Sequence, residues 1–333
     1  MRKIGKTVIF DKPPKIIGHA GVAGKKEGEG PLAKDFDMIF EDTTMGQQSY
    51  ELAESAMLHD AIIRSLSNAG VAPSSVDFVL SGDLLNQCMG SAFALKDLEI
   101  PSIGLFGACS TMALSLSTGA MLVNSGASCV VCATSSHFCS SERQFRFPLE
   151  YGGQRPPTAQ WTVTGAGSSV VSNEGRGTEI KAVQIGTITD LGITDANNMG
   201  AAMAPAAART ISSFLNDTGS SPEDYNLILT GDLGYTGSQL LYELLEKEHN
   251  IKLKGFHKDC GTLIFDLKNA GRKFRRLRLR LQRKRALLSY FKANGQGNFE
   301  KVLFVATGAL MSPTSSKQGN SIPGIAHAVL LER

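Results

Sequence analysis

Cys109 is the residue whose surroundings point most directly to chemistry. It sits in Gly104-Leu105-Phe106-Gly107-Ala108-Cys109-Ser110-Thr111, ahead of a small-residue run that ends at Asn124-Ser125-Gly126. That order predicts a strand turning into a helix. The sulfur is then aimed at the first free backbone N–H groups, which favours a thiolate. Two readings stay open: an acyl-accepting nucleophile or anion-pocket floor, and a buried structural thiol. A second group of reactive side chains follows the apolar stretch Ala127 to Thr134. His137, Arg143, Arg146 and Arg155 are interleaved there with Phe145, Phe147 and Tyr151. An arginine grips a carboxylate at two points, although each single one could equally be a solvated charge or an ion pair with Glu142 or Glu150. Asp83 and Asp232 each follow a glycine at the end of an apolar run. Turn capping is the ordinary work of such a residue, and two isolated carboxylates are weak grounds for a calcium site.

These residues need a scaffold, and the chain alternates strand and helix patterns. Lys15 to Val22 reads as a strand and Gly24 to Pro31 as a loop. Ser49 to Asn68 carries Leu52, Ala56, Leu58, Ile62 and Leu66 at helical spacing and stops at Gly70. Val76 to Leu80 is a buried strand, His137 to Trp161 a polar and aromatic loop, and Val163 to Ser172 a further strand. The second half then repeats the first. Asn68 to Leu84 aligns with Asp217 to Leu233, and Ser128 to Ser135 with Lys301 to Gly308, in the same order. Two βαβ-type halves are expected, 1–175 and 176–333, joined near Glu174 to Gly177. The six cysteines show no paired or metal-ligand spacing, so a reducing cytoplasm is expected. Cys129 and Cys132 form CxxC only formally, since strand alternation sends them to opposite faces. Neither a signal peptide nor a run of about 18 apolar residues is present to predict export or a membrane span.

A duplicated α/β chain with a cysteine on a strand-to-helix turn resembles the thiolase fold. The strings Leu80 to Gln87, Phe106 to Thr111, Ser136-His137, Glu142 to Arg146, Glu150-Tyr151-Gly152-Gly153-Gln154, Asp190 to Asp195, Ala204 to Ala208 and His257 to Gly261 resemble the stage V sporulation protein AD family. That resemblance implies a five-layer αβαβα architecture, each half a mixed sheet with a central buried helix. It implies binding of dipicolinic acid, with or without calcium, rather than a cofactor or a protein-held metal. It also implies other subunits of a complex at the forespore or spore inner membrane, peripheral attachment from the cytoplasmic side, a homodimer and no nucleic-acid partner.

Condensing enzymes of this fold add a histidine at the second-half strand end to polarise a thioester and move protons. Here that end reads Leu229-Thr230-Gly231-Asp232, His257 comes some residues later on a different expected element, and His327 lies near the C-terminus. A negative Asp232 beside the thiol would raise its pKa. Binding is therefore favoured over the alternative, a Cys109-dependent acyltransferase. A flat aromatic dicarboxylate needs cations or N–H donors at opposite edges and apolar walls. The candidates are Cys109 with its helix N-terminus, Asp83, His137, Arg143, Arg146, Tyr151 and Gln154.

One stretch departs from that family. Residues 272–285 carry nine Lys or Arg in fourteen, where the duplication puts the second central helix. Unpaired cations in such number cannot be buried between two sheets. A genuine basic segment would suit a nucleic acid or an anionic membrane. The Arg-Leu alternation instead favours a local frame slip, because CGG and CTG codons read one base later give Gly and Cys. Re-reading the gene should recover a Gly/Ser/Cys-rich segment; if no one-base shift does, the slip is excluded.

Overall fold

The computed structural model describes residues 1–145, 156, 158–265 and 300–333. Its strands are β1 Arg2–Ile4, β2 Thr7–Ile9, β3 Lys15–Gly24, β4 Met38–Phe40, β5 Phe78–Gly82, β6 Ser102–Gly104, β7 Cys129–Ser136, β8 Gly165–Ser172, β9 Thr178–Gln184, β10 Leu227–Gly231, β11 His257–Asp259, β12 Lys301–Ala309 and β13 Gly324–Glu332. Its helices are α1 Lys25–Gly28, α2 Tyr50–Ala69, α3 Met89–Leu95, α4 Thr111–Asn124, α5 Phe138–Phe145, α6 Met199–Thr218, α7 Gly234–His249 and α8 Cys260–Ile264, with a last short turn at Pro313–Lys317.

The two aligned stretches of sequence take the same path. α2 ends at Gly70 and α6 at Gly219, with φ of 67° and 63°, a left-handed conformation that glycine adopts without a Cβ clash. Each glycine leads through a turn opened by Pro73 or Pro222 into β5 or β10. The strand order repeats as well, running β3-β8-β7-β5-β6 in one half and β9-β13-β12-β10-β11 in the other. In both, the first two pairings are antiparallel and the last two parallel. The halves meet where Lys15 and Ile16 of β3 pair with Glu179 and Thr178 of β9.

Burial divides the molecule into layers. On one outside, α2 packs Met57, Leu58, Ile62 and Leu66 over Val79, Val131 and Val170. On the other, α6 packs Met203, Ala207, Ile211 and Phe214 over Ile228, Leu303, Val305 and Ala328. Between the sheets α4 sets Ala113, Leu116, Ala120 and Val123 against Leu80 and Val130 on one side and Leu229, Phe304 and Val329 on the other. The result is helix, sheet, helix, sheet, helix: the thiolase-like five-layer architecture. Cys129 packs in an outer layer and Cys132 in the central one, as strand alternation requires.

Two loop readings need correction. Gly24 to Pro31 contains the short α1, and His137 to Trp161 begins with α5. Residues 138–145 are too few to stand out in the sequence, with only Phe138 and Phe145 spaced a heptad apart. The Ser141 N–H closes the first helical turn on the His137 carbonyl, and Ser140 Oγ donating to Glu54 and Arg143 pairing with Glu51 tie the helix to α2. Arg146, Phe147, Tyr151, Gln154, Arg155 and the basic stretch 272–285 lie outside the described residues.

Candidate functional site

The Cys109 turn is held from within and from the opposite half. Ser110 Oγ donates to the Gly107 carbonyl, Thr111 Oγ1 donates to the Ala108 carbonyl and accepts from the Gly107 N–H. Ala108 takes φ of 49°, an uncommon conformation for a residue with a Cβ. Strain of this kind survives where the surroundings over-determine it. Part of that constraint comes from β12: a Cβ on Gly308 would lie 2.2 Å from the Gly107 oxygen. Gly308→Ala should therefore cost about 3 kcal/mol through overpacking. Gly167→Ala, on β8 with nothing within 4 Å, should be near neutral. Chemical denaturation of both variants checks this, and equal midpoints would contradict it.

Cys109 is half-buried and opens onto a narrow, mainly apolar cleft lined by Leu84, Phe106, Phe145, Met199 and Met311. Glu142 and Ser141 are the polar wall residues from α5, and Ser141 Oγ has no hydrogen-bond partner among the described residues. The other side of α5 faces a larger cavity of about 630 Å³. Glu51, Leu85, Asn86, Gln87, Met89, Ala92, Ser140, Arg143 and Gln144 line it. α5 is thus a partition with the thiol on one side and Arg143 on the other. Arg143 forms an ion pair with Glu51, and Gln144 is committed to the Leu84 carbonyl and the Asn86 N–H. The loop carrying Asn86 to Cys88 is strained, Gln87 and Cys88 having φ of 55° and 52°.

Asp83 is buried and does capping work. Its Oδ1 accepts from the Leu85 N–H and its Oδ2 from the N–H and Oγ of Ser91. Next to it lies Glu54, a residue the sequence reading passed over. Glu54 is 0% exposed, and burial first, then the Asp83 charge, push its carboxyl up to about 8. Its place on the apolar stripe with Leu58, Ala61 and Ile62 was the available signal. His137 lies inside the fold. Its Nε2 bonds the Thr43 carbonyl, its Nδ1 accepts from the Cys139 N–H, and its ring stacks on Tyr50 at 5.2 Å. Burial lowers its pKa.

In the second half His257 is on a separate element, as expected, but β11 pairs in parallel with β10, His257 opposite Ile228, so that its side chain reaches Thr230 near the β10 end. Nε2 of His257 is 2.8 Å from Thr230 Oγ1 and Nδ1 is 2.9 Å from the Tyr242 hydroxyl. Burial depresses His257 to about 3 and His327 to about 4. Asp259 accepts from Thr230 Oγ1 and from the Leu233, Gly234 and Gly261 N–H groups. Asp232 is pushed up to about 7, by burial and then by Asp259; the thiol beside these two carboxylates is that of Cys260, raised by burial first and then by their charge. Among the described residues no group of three His, Cys, Asp or Glu side chains is placed to hold a metal.

Comparison with known proteins covers nearly the whole chain. The sequence profile of the Stage V sporulation protein AD (SpoVAD) family matches residues 5–332. Stage V sporulation protein AD of Bacillus subtilis strain 168 is 40% identical over 341 residues, covering 100% of this chain and 98% of its own length. Among solved structures, 3-oxoacyl-(acyl-carrier-protein) synthase III from Aquifex aeolicus VF5 has a TM-score of 0.58 at 16% identity, covering 96% of this chain and 100% of that one. Acetyl-CoA acetyltransferase from Syntrophomonas wolfei also reaches 0.58, at 13% identity, over 96% and 99% of the two chains. At such identities these structures speak for the fold alone.

Proposed function

The chain belongs to the Stage V sporulation protein AD family, and on that footing we propose that it is a non-catalytic subunit that binds dipicolinic acid in sporulation and germination. The observation that carries this reading is Arg143 at the wall of a 630 Å³ cavity, beside the polar side chains of Asn86, Gln87 and Ser140. A guanidinium takes one carboxylate of a flat diacid at two points, while Leu85, Met89 and Ala92 supply apolar wall for the ring. Calcium enters only as the ligand's own counter-ion.

Against catalysis stands the second-half chemistry. A condensing enzyme needs a base near the working pH, whereas His257 and His327 are held at about 3 and 4. Intact-mass measurement after incubation with an acyl-CoA tests this part. No adduct on Cys109 is expected, and stoichiometric acylation would put the acyltransferase first. The ligand part predicts that picolinate, lacking one carboxylate, binds at least about tenfold more weakly than dipicolinate. Equal affinities would sink the diacid reading.

In this reading the protein sits peripherally on the spore inner membrane through other subunits of its complex. No helix among the described residues is long and apolar enough to cross a membrane. A second copy of the chain is the partner proposed for the sheet edge at β6. Ser102, Ile103 and Gly104 are all exposed there, and Phe93 and Phe106 present apolar surface nearby. An open apolar edge is a template for strand pairing. Ile103→Asp should convert a dimer to a monomer in sedimentation velocity, and a monomeric parent protein would refute the dimer.

A further inference from the structure

Glu54 is a fully buried carboxyl with a hydrogen-bonded path to the larger cavity. Ser140 Oγ is 2.9 Å from Glu54 Oε2, and Ser140 itself lines the cavity wall. On the other side Ser135 Oγ donates to Oε1 at 3.1 Å. Gly90 of α3 packs where an added Cβ would lie 3.2 Å from Asp83 Cγ and 3.5 Å from Glu54 Oε1, so both acids border one small volume. The charged groups acting on Glu54 are Asp83 just past β5 and Glu51 on its own helix; Arg143 and His137, on or beside α5, interact with Glu51 one turn away. β7 contributes Ser135 and α3 contributes Gly90, neither of which titrates.

We infer that Glu54 is a proton-binding residue coupled to the cavity, so that a carboxylate ligand seated against Ser140 and Arg143 enters together with a proton on Glu54. The inference rests on the ligand reading above and adds its regulation. Glu54 already faces Asp83, and a dianion in the cavity brings more negative charge to the far end of the Ser140 contact. A buried carboxylate cannot screen that repulsion with water and takes a proton from solvent instead. No bond other than O–H forms, and the buffer supplies the proton. The free acid holds its proton to about pH 8, so ligand and proton compete with bulk hydroxide only above neutrality. Binding should be insensitive to pH below 7 and should weaken by up to about tenfold per pH unit above 8.

The test is calorimetric titration of the full chain with dipicolinate at pH 6.5 and pH 9, each in two buffers of different ionisation heat. Wild type should take up close to one proton per ligand at pH 9 and almost none at pH 6.5. Glu54→Gln keeps the shape and the hydrogen bonds of the neutral acid. It should bind with no proton uptake and, at pH 9, about tenfold more tightly than wild type. Ser140→Ala, which cuts the contact to the cavity, should lower the uptake while leaving the fold intact by circular dichroism. Binding without proton uptake in wild type, or unchanged uptake in Glu54→Gln, overturns the inference and leaves the ligand reading standing. No binding at either pH overturns both.

Discussion

Arg143→Ala should weaken dipicolinate binding by roughly tenfold to a hundredfold, the range set by losing about 1.5–3 kcal/mol of charge-assisted hydrogen bonding. The fold should survive. The Arg143 side chain is 57% exposed and its ion-pair partner is Glu51, and a surface pair of this kind contributes under about 1 kcal/mol. Arg143→Lys should fall between the two, because an ammonium cannot grip both oxygens of a carboxylate in a fixed fork. Glu51→Gln should do the opposite and tighten binding, since it removes the anion that competes with the ligand for Arg143. Titration of the three variants decides the matter. Unchanged affinity in Arg143→Ala would move the ligand out of this cavity.

The second large effect is on stability against pH. Asp259 is raised to about 6 and Asp232 to about 7, in both cases by burial first. A carboxyl whose folded pKa exceeds its unfolded value of 3.8 favours folding only while protonated. Its contribution is therefore complete below pH 4 and is lost as pH rises to about 7. The two acids titrate as a pair, so the loss belongs to the pair and not to either residue. Asp232→Asn should remove much of that slope and make the protein more stable than wild type at pH 8, with little difference at pH 4. Asparagine also suits the backbone there, where φ is 62°. Denaturation midpoints across pH 4–8 test this. Parallel curves for wild type and variant would mean that the pair carries no such charge repulsion.

The fold was readable because its signals are local and repeated. Gly70 and Gly219 stop two long amphipathic helices, prolines follow both, and the apolar runs of β5 and β10 come next. The duplication in sequence and the repeated strand order express the same pattern twice. The site was only partly readable. Cys109 on a strand-to-helix turn follows from its neighbours, and Arg143 reaches a cavity. That α5 would stand between them did not follow, because the contacts that place residues 138–145 there are long-range ones to Glu51 and Glu54 of α2. His257 reached Thr230 through parallel pairing of a three-residue strand, too short to show any period. His137 looked available for a ligand, yet both ring nitrogens are used within the fold. A single glutamate on an apolar stripe, as Glu54 is, reads as a surface residue until its helix is packed.

Calorimetric titration of the purified, folded chain with dipicolinate at neutral pH tests the central claim most directly. The account predicts saturable binding, one ligand per chain, weakened by about tenfold or more in Arg143→Ala and untouched by Cys109→Ser. A folded protein that gives no heat with dipicolinate would contradict it.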